Sequence, residues 1–204
     1  METRLLLAAF VLALAALALG AHVAQRPPPR IDLAAGVLRG TALPLAVFFT
    51  GLGRWPVLLG LGVLAFGIGM TLRTGLSAVV VLYGAQVASQ AATALVKLAF
   101  HRMRPDTWLI IKETDLSYPS GHAVTAVVFF LGFVLLAWHA PLPRPVVLPV
   151  VAVLCVCAVG IPWSRLALGA HYLTDVAGGL LLGGAFLCTA CAVILRFASA
   201  PAAP

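Results

Sequence analysis

Charge is scarce in this sequence. Only 9% of its 204 residues are Asp, Glu, Lys or Arg, where an ordinary soluble domain carries about 25%. With 62% hydrophobic residues and a mean hydropathy of +1.09, that scarcity excludes a soluble globular domain and points to an integral membrane protein. Acidic residues are the scarcer sign, six against thirteen Lys and Arg. The formal charge of +7 could suit nucleic acid, but the cations form no run along an exposed helix and lack an aromatic-rich basic platform. Anionic lipid or phosphate fits them better. Metal-binding spacing is missing too. Cys155, Cys157, Cys188 and Cys191 all lie in apolar runs, and Cys188-x-x-Cys191 has no Cys or His partner set. The four read as small packing residues that say little about redox compartment. No internal repeat is present.

Apolar runs dominate what is there. Residues 5–24 are long enough to cross the hydrocarbon core. A signal peptide is the alternative, but the run is long and its cleavage pattern poor. Pro27-Pro28-Pro29 ends it. Residues 31–50 mix Asp32 and Arg39 with apolar residues around Pro44 and read as an interfacial helix plus loop. Further spans are expected at 55–72, with Trp55 as interface anchor, then at 77–100, 121–138, 146–163 and 172–197. Arg73-Thr74-Gly75 reads as a tight turn, and Pro149 as a kink. Gly178, Gly179, Gly183 and Gly184 suit close helix packing. The fold expected is all-α, six transmembrane helices in a bundle. One domain covers 1–204: a first helix (1–30), an interfacial segment (31–54), a helical core (55–197) and a disordered tail (198–204). Both termini then share one side, and the loops after spans one, three and five share the other.

Those three loops carry the chemistry. Ser164-Arg165-x5-His171-x3-Asp175 sets ionisable groups between two apolar runs, where they are costly and usually functional. On a helix, His171 and Asp175 would stand one above the other. The carboxylate could accept the Nδ1–H and leave Nε2 as base or nucleophile. Lys97-x6-Arg104-Pro105 and Tyr118-Pro119-Ser120-Gly121-His122 fall on the same side. Lys97, Arg104 and Arg165 supply three positive charges suited to phosphate oxygens. Ser120 and Gly121 open a helix whose N–H groups and dipole favour an anion. Two histidines, His122 and His171, among three cations suggest phosphoryl transfer, one attacking phosphorus and the other protonating the leaving oxygen. No carboxylate cluster is left to hold Mg²⁺ once Asp175 is committed to His171, so no metal or other cofactor is expected.

At these residues the chain resembles the type 2 phosphatidic acid phosphatases, the membrane branch of a superfamily that includes vanadium haloperoxidases. The three-part signature K-x6-R-P, P-S-G-H and S-R-x5-H-x3-D is present in order, with no departure at a fixed position. The resemblance implies that His171 is the nucleophile forming a phosphohistidine, that Asp175 orients it, and that His122 is the general acid. Lys97, Arg104, Ser120, Gly121 and Arg165 would hold the phosphate. The substrate implied is a lipid phosphate or diphosphate within the bilayer, such as phosphatidic acid, phosphatidylglycerol phosphate or undecaprenyl diphosphate. Rivals are a vanadate-dependent peroxidase, a lipid phosphotransferase and a non-catalytic lipid-binding or transport protein. Taken singly, Lys97 and Arg165 would be snorkelling cations and Ser120 an ordinary N-cap. His22, His101 and His139 receive no chemistry. Arg102, Lys112, Glu113 and Asp115 either touch substrate or form a solvated loop face. Trp108, Leu109, Ile110 and Ile111 either dip into lipid or pack the loop. The resemblance implies a bacterial plasma membrane with the site away from the cytoplasm. The charge distribution opposes that orientation: Arg4, Arg73, Arg144 and Arg196 fall opposite the site, and the other nine cations fall on its side.

Overall fold

The computed structural model describes residues 1–72, 75–107, 109–110 and 113–199. The expectations placed on Arg73, Thr74, Trp108, Ile111, Lys112 and the end of the tail lie outside these residues. Apolar runs interrupted by Pro and Gly become helices, and no strand occurs among the described residues. Helix α1 spans Glu2–Val23. After the three prolines, α2 (Arg30–Ala34) passes into a 3-10 turn, Ala35–Leu38, and α3 covers Leu43–Leu52. Helices α4 (Trp55–Leu72) and α5 (Leu76–Phe100) follow. Next come α6 (Gly121–Thr125), a π-helical stretch at Ala126–Leu131 and α7 (Gly132–Trp138), which together make one span. Helix α8 (Arg144–Ala167) continues through Pro149 and Pro162, and α9 runs from Leu173 to Ser199.

Six of these helical stretches are long and apolar enough to cross a membrane. The segment before α4 is not straight: Arg30–Leu38 and Leu43–Leu52 are bent against each other by 110°. Burial decides the layout. Half of the Gly121–Trp138 window is buried, against 22% for α1 and 17% for α4. The α6–α7 span therefore stands at the centre and the others surround it. Its Phe129, Phe130 and Phe133 pack with Phe49, Leu58, Val79 and Ile161. Leucines and valines on the outer helices face outward, as a lipid-contacting surface requires.

The glycines of α9 work as expected. A Cβ on Gly179 would stand 2.5 Å from the Ser120 carbonyl oxygen and 2.8 Å from the Ala123 Cβ. Only glycine lets α9 lie directly against the start of α6. That start is also tied to α9 by the Ser120 N–H, which donates to the Asp175 carbonyl at 3.0 Å. From the other side, polar residues in α5 reach the same helix. Gln90 Nε2 donates to the Gly121 carbonyl and to Thr125 Oγ1, and Gln86 Nε2 donates to Thr125 Oγ1 at 2.8 Å.

Candidate functional site

The loops after α1, α5 and α8 meet at one end of the bundle, and buried ion pairs record the meeting. Arg102, following α5, donates through Nη2 to Asp32 of α2 at 2.9 Å and through Nη1 to Asp175 of α9 at 2.6 Å. Its guanidinium lies 4.6 Å from the ring centroid of Tyr172. Asp32 is held further by the Thr174 backbone N–H and hydroxyl, both within 2.8 Å. Charge buried this deeply persists only when paired on every side.

His171 does not stand on a helix with Asp175. Helix α9 begins at Leu173, so His171 lies in the turn before it, where the chain reverses at Gly169 with φ +67°. Proximity survives, but the contact differs from expectation. His171 Nδ1 is 3.5 Å from Asp175 Oδ2 and 3.4 Å from the Ser117 hydroxyl, which itself donates to that carboxylate oxygen at 2.5 Å. Asp175 is thus shared among Arg102, Ser117, the Tyr172 backbone N–H and His171. It is not committed to the histidine alone.

On the opposite face of the ring, Arg104 Nη1 stands 2.9 Å from His171 Nε2 and also donates to the Ala170 carbonyl at 2.9 Å. A guanidinium can only donate, so Nε2 carries the lone pair and Nδ1 the proton. Burial, then the charges of Arg104, Arg165 and Lys97, push His171 well below its ordinary value of 6.5, with Glu113 pulling the other way. The imidazole is held neutral.

All three expected cations gather here. Arg165 Nη1 donates to Thr50 Oγ1 at 2.5 Å. His122 lies in the field of Arg165, Arg54 and Arg104. The two histidines therefore flank one cation set. Ser120 is not an ordinary N-cap: its hydroxyl makes no capping bond and is buried without a partner, as are His122 Nε2 and Arg165 Nε. Buried orphan polar atoms are rare and gather where a ligand completes them.

Glu113 and Asp115 are partly exposed, yet both are paired with the cations of the site. Glu113 joins Arg165 to Arg104, the latter at 2.9 Å, and Asp115 joins Arg104 at 2.5 Å to Lys97. Burial pushes both carboxyls up, but the adjoining cations outweigh it and hold both below the usual carboxylate range. Arg102, by contrast, is spent on structural pairing. Among the described residues, no group of three His, Cys, Asp or Glu side chains is placed to hold a metal ion.

Sequence reasoning missed Asp32, Thr50, Gly53 and Ser117. Asp32 carried a usable signal, being one of only six acidic residues in an apolar chain. Thr50 and Ser117 carried none, since a lone hydroxyl beside a span is commonplace. A Cβ on Gly53 would lie 2.7 Å from His122 Cδ2, so the turn after α3 backs directly onto that ring.

A buried histidine and three cations thus lie together at one end of a helical bundle whose six apolar stretches can cross a membrane. The PAP2 superfamily profile matches residues 75–198, and the chain belongs to that family. Phosphatidylglycerophosphatase B of Bacillus subtilis is 37% identical over 83 residues, covering 40% of this chain and 41% of that protein. Lipid A 1-phosphatase of Rhizobium etli is 34% identical over 115 residues, covering 52% of this chain and 45% of the relative. The matches with these curated relatives thus span less than half of their length. The crystal structure of a transmembrane PAP2 type phosphatidylglycerolphosphate phosphatase from Bacillus subtilis superposes with a TM-score of 0.70 at 25% identity, covering 98% of both chains.

Proposed function

We propose that this protein is a metal-independent phosphatase that releases phosphate from a membrane lipid phosphate or diphosphate through a phosphohistidine. One observation carries the reading: His171 Nε2, the atom that would attack, lies 2.9 Å from Arg104 Nη1, so a phosphate that takes over this guanidinium frees the Nε2 lone pair beside itself. His171 Nε2 attacks phosphorus and the bond to the lipid oxygen breaks. Arg104, Arg165 and Lys97 stabilise the charge on the equatorial oxygens. Ser120 Oγ and the N–H groups at Gly121 bind the same oxygens. His122 gives its proton to the departing lipid oxygen. It then takes a proton from the water that hydrolyses the phosphohistidine, which frees phosphate and restores His171. Asp175, through its charge and through Ser117, stabilises the imidazolium formed in between. The carboxylates near the site are engaged by cations, which supports a reaction that needs no divalent ion.

The substrate class follows from the bilayer setting and from relatives named for lipid phosphates. Phosphatidic acid, phosphatidylglycerol phosphate and undecaprenyl diphosphate are the members to test. The relatives are bacterial, and the family resemblance favours a plasma-membrane protein with this site on the extracytoplasmic face. Purified protein assayed for phosphate release against these three lipids should be active on at least one, with His171→Ala inactive on all. No release from any of them by folded protein would overturn the reading.

A further inference from the structure

Every cation of the signature is already held by a carboxylate of the same chain. Glu113 spans Arg104 and Arg165, and Asp115 spans Lys97 and Arg104. Two negative charges thus occupy the three cationic groups that a phosphate would need. We propose that Glu113 and Asp115 are built-in competitors for the phosphate site, displaced by substrate, and that they set the charge a ligand must carry to enter. The proposal rests on the reading of Lys97, Arg104 and Arg165 as phosphate ligands.

Burial decides which partners move. The Arg104 and Arg165 side chains are 5% and 2% exposed and Lys97 13%, whereas Glu113 and Asp115 are 28% and 56% exposed. The carboxylates reach water with small displacements and recover their hydration. The arginines are fixed from behind, Arg165 by Thr50 and Arg104 by the Ala170 carbonyl. A cation left buried and unpaired is costly, so the carboxylates leave only for a ligand that replaces their charge.

Charge matching then discriminates among phosphates. A terminal phosphate monoester is a dianion and replaces two carboxylates charge for charge. A phosphodiester, the linkage of bulk membrane lipid, is a monoanion and leaves the arginines short by one charge. Glu113 and Asp115 thereby favour a terminal phosphate over the diester lipids that surround the protein in vast excess. Specificity of this kind comes from penalising the wrong ligand rather than from added contacts to the right one.

The test is calorimetric binding of inorganic phosphate and of dimethyl phosphate, at a pH where phosphate is a dianion. The full chain in detergent is compared with Glu113→Gln, Asp115→Asn and the double variant. If the carboxylates leave the site open in about one molecule in ten, their removal tightens phosphate binding about tenfold. The double variant should also bind dimethyl phosphate, which the unaltered protein should exclude. Asp115→Asn alone changes a side chain more than half exposed, so folding does not confound it, and it should give a smaller gain in the same direction. Unchanged or weaker phosphate binding in Asp115→Asn and Glu113→Gln would make the carboxylates supports for the arginines and overturn the proposal. A parallel lipid-phosphate assay of the unaltered protein keeps the two questions apart. Turnover without tighter binding in the variants defeats this proposal alone, and absence of both turnover and phosphate binding defeats the functional reading with it.

Discussion

His171 and His122 share the field of the same arginines, yet the proposed chemistry asks them for opposite things. The field suits the neutral ring that His171 needs, and His122 becomes an acid only once a bound phosphate has brought negative charge to those cations. His171 must be neutral to attack, and burial reinforced by Arg104, Arg165 and Lys97 keeps it so. An unfolded chain takes up a proton here near 6.5 and the folded one does not. This residue's contribution to stability therefore falls as pH drops through that value and is flat above it. Ring ¹⁵N NMR of detergent-solubilised protein should show His171 neutral, with the proton on Nδ1, at pH 6. A charged ring there would contradict the electrostatic account. The two histidines separate by leaving group. A lipid alkoxide needs a proton as its bond to phosphorus breaks, and nitrophenolate does not. His122→Ala should lose about a hundredfold more activity on a lipid phosphate than on p-nitrophenyl phosphate, while His171→Ala should be inactive on both. Equal losses for His122→Ala would reduce His122 to a phosphate ligand.

Among the elements, the bent pair α2–α3 matters most for what it delivers. It brings Asp32 to Arg102, Thr50 to Arg165 and the following Gly53 to His122. A methyl group at Gly53 would overlap the His122 ring. Gly53→Ala should therefore repeat the leaving-group dependence of His122→Ala in milder form, with loss greater on lipid phosphate than on p-nitrophenyl phosphate. Identical losses on the two substrates would assign Gly53 to packing instead. Asp32→Asn removes one carboxylate from a fully buried guanidinium. Breaking such a pair costs roughly 3–5 kcal/mol, read as a lower unfolding midpoint in detergent. Stability within about 0.5 kcal/mol of the unaltered protein, the range of an ordinary surface change, would mean that Asp175 alone suffices for Arg102.

For the molecule as a whole, the questions are which ions it needs and which way it faces. With its carboxylates engaged by cations, the site should retain activity in EDTA and be inhibited by vanadate, which adopts the trigonal-bipyramidal shape of phosphoryl transfer. Loss of activity in EDTA with recovery in Mg²⁺ would refute metal independence. Orientation sets family resemblance against a charge distribution that opposes it. Ile110 is exposed on the site's loop. Once the four native cysteines are replaced, Ile110→Cys should react with a membrane-impermeant thiol reagent in intact cells. Labelling only after lysis would place the site in the cytoplasm.

The sequence by itself determined the membrane class and the six apolar stretches, and its signature named the eight residues of the expected site. Apolar length and the cost of charge in lipid act locally, and the signature states its residues outright. Tertiary structure alone decided how those residues pair. Asp175 is four positions from His171 in the chain, yet its shortest contacts are to Arg102 and Ser117, seventy-three and fifty-eight positions away. Glu113 and Asp115 could not be told from a solvated loop until Lys97, Arg104 and Arg165 were seen beside them. Thr50 and Gly53 acquire meaning only because the bend before α4 folds them onto Arg165 and His122. Pairing among buried charges depends on which helix ends meet, and that is a property of packing rather than of spacing along the chain.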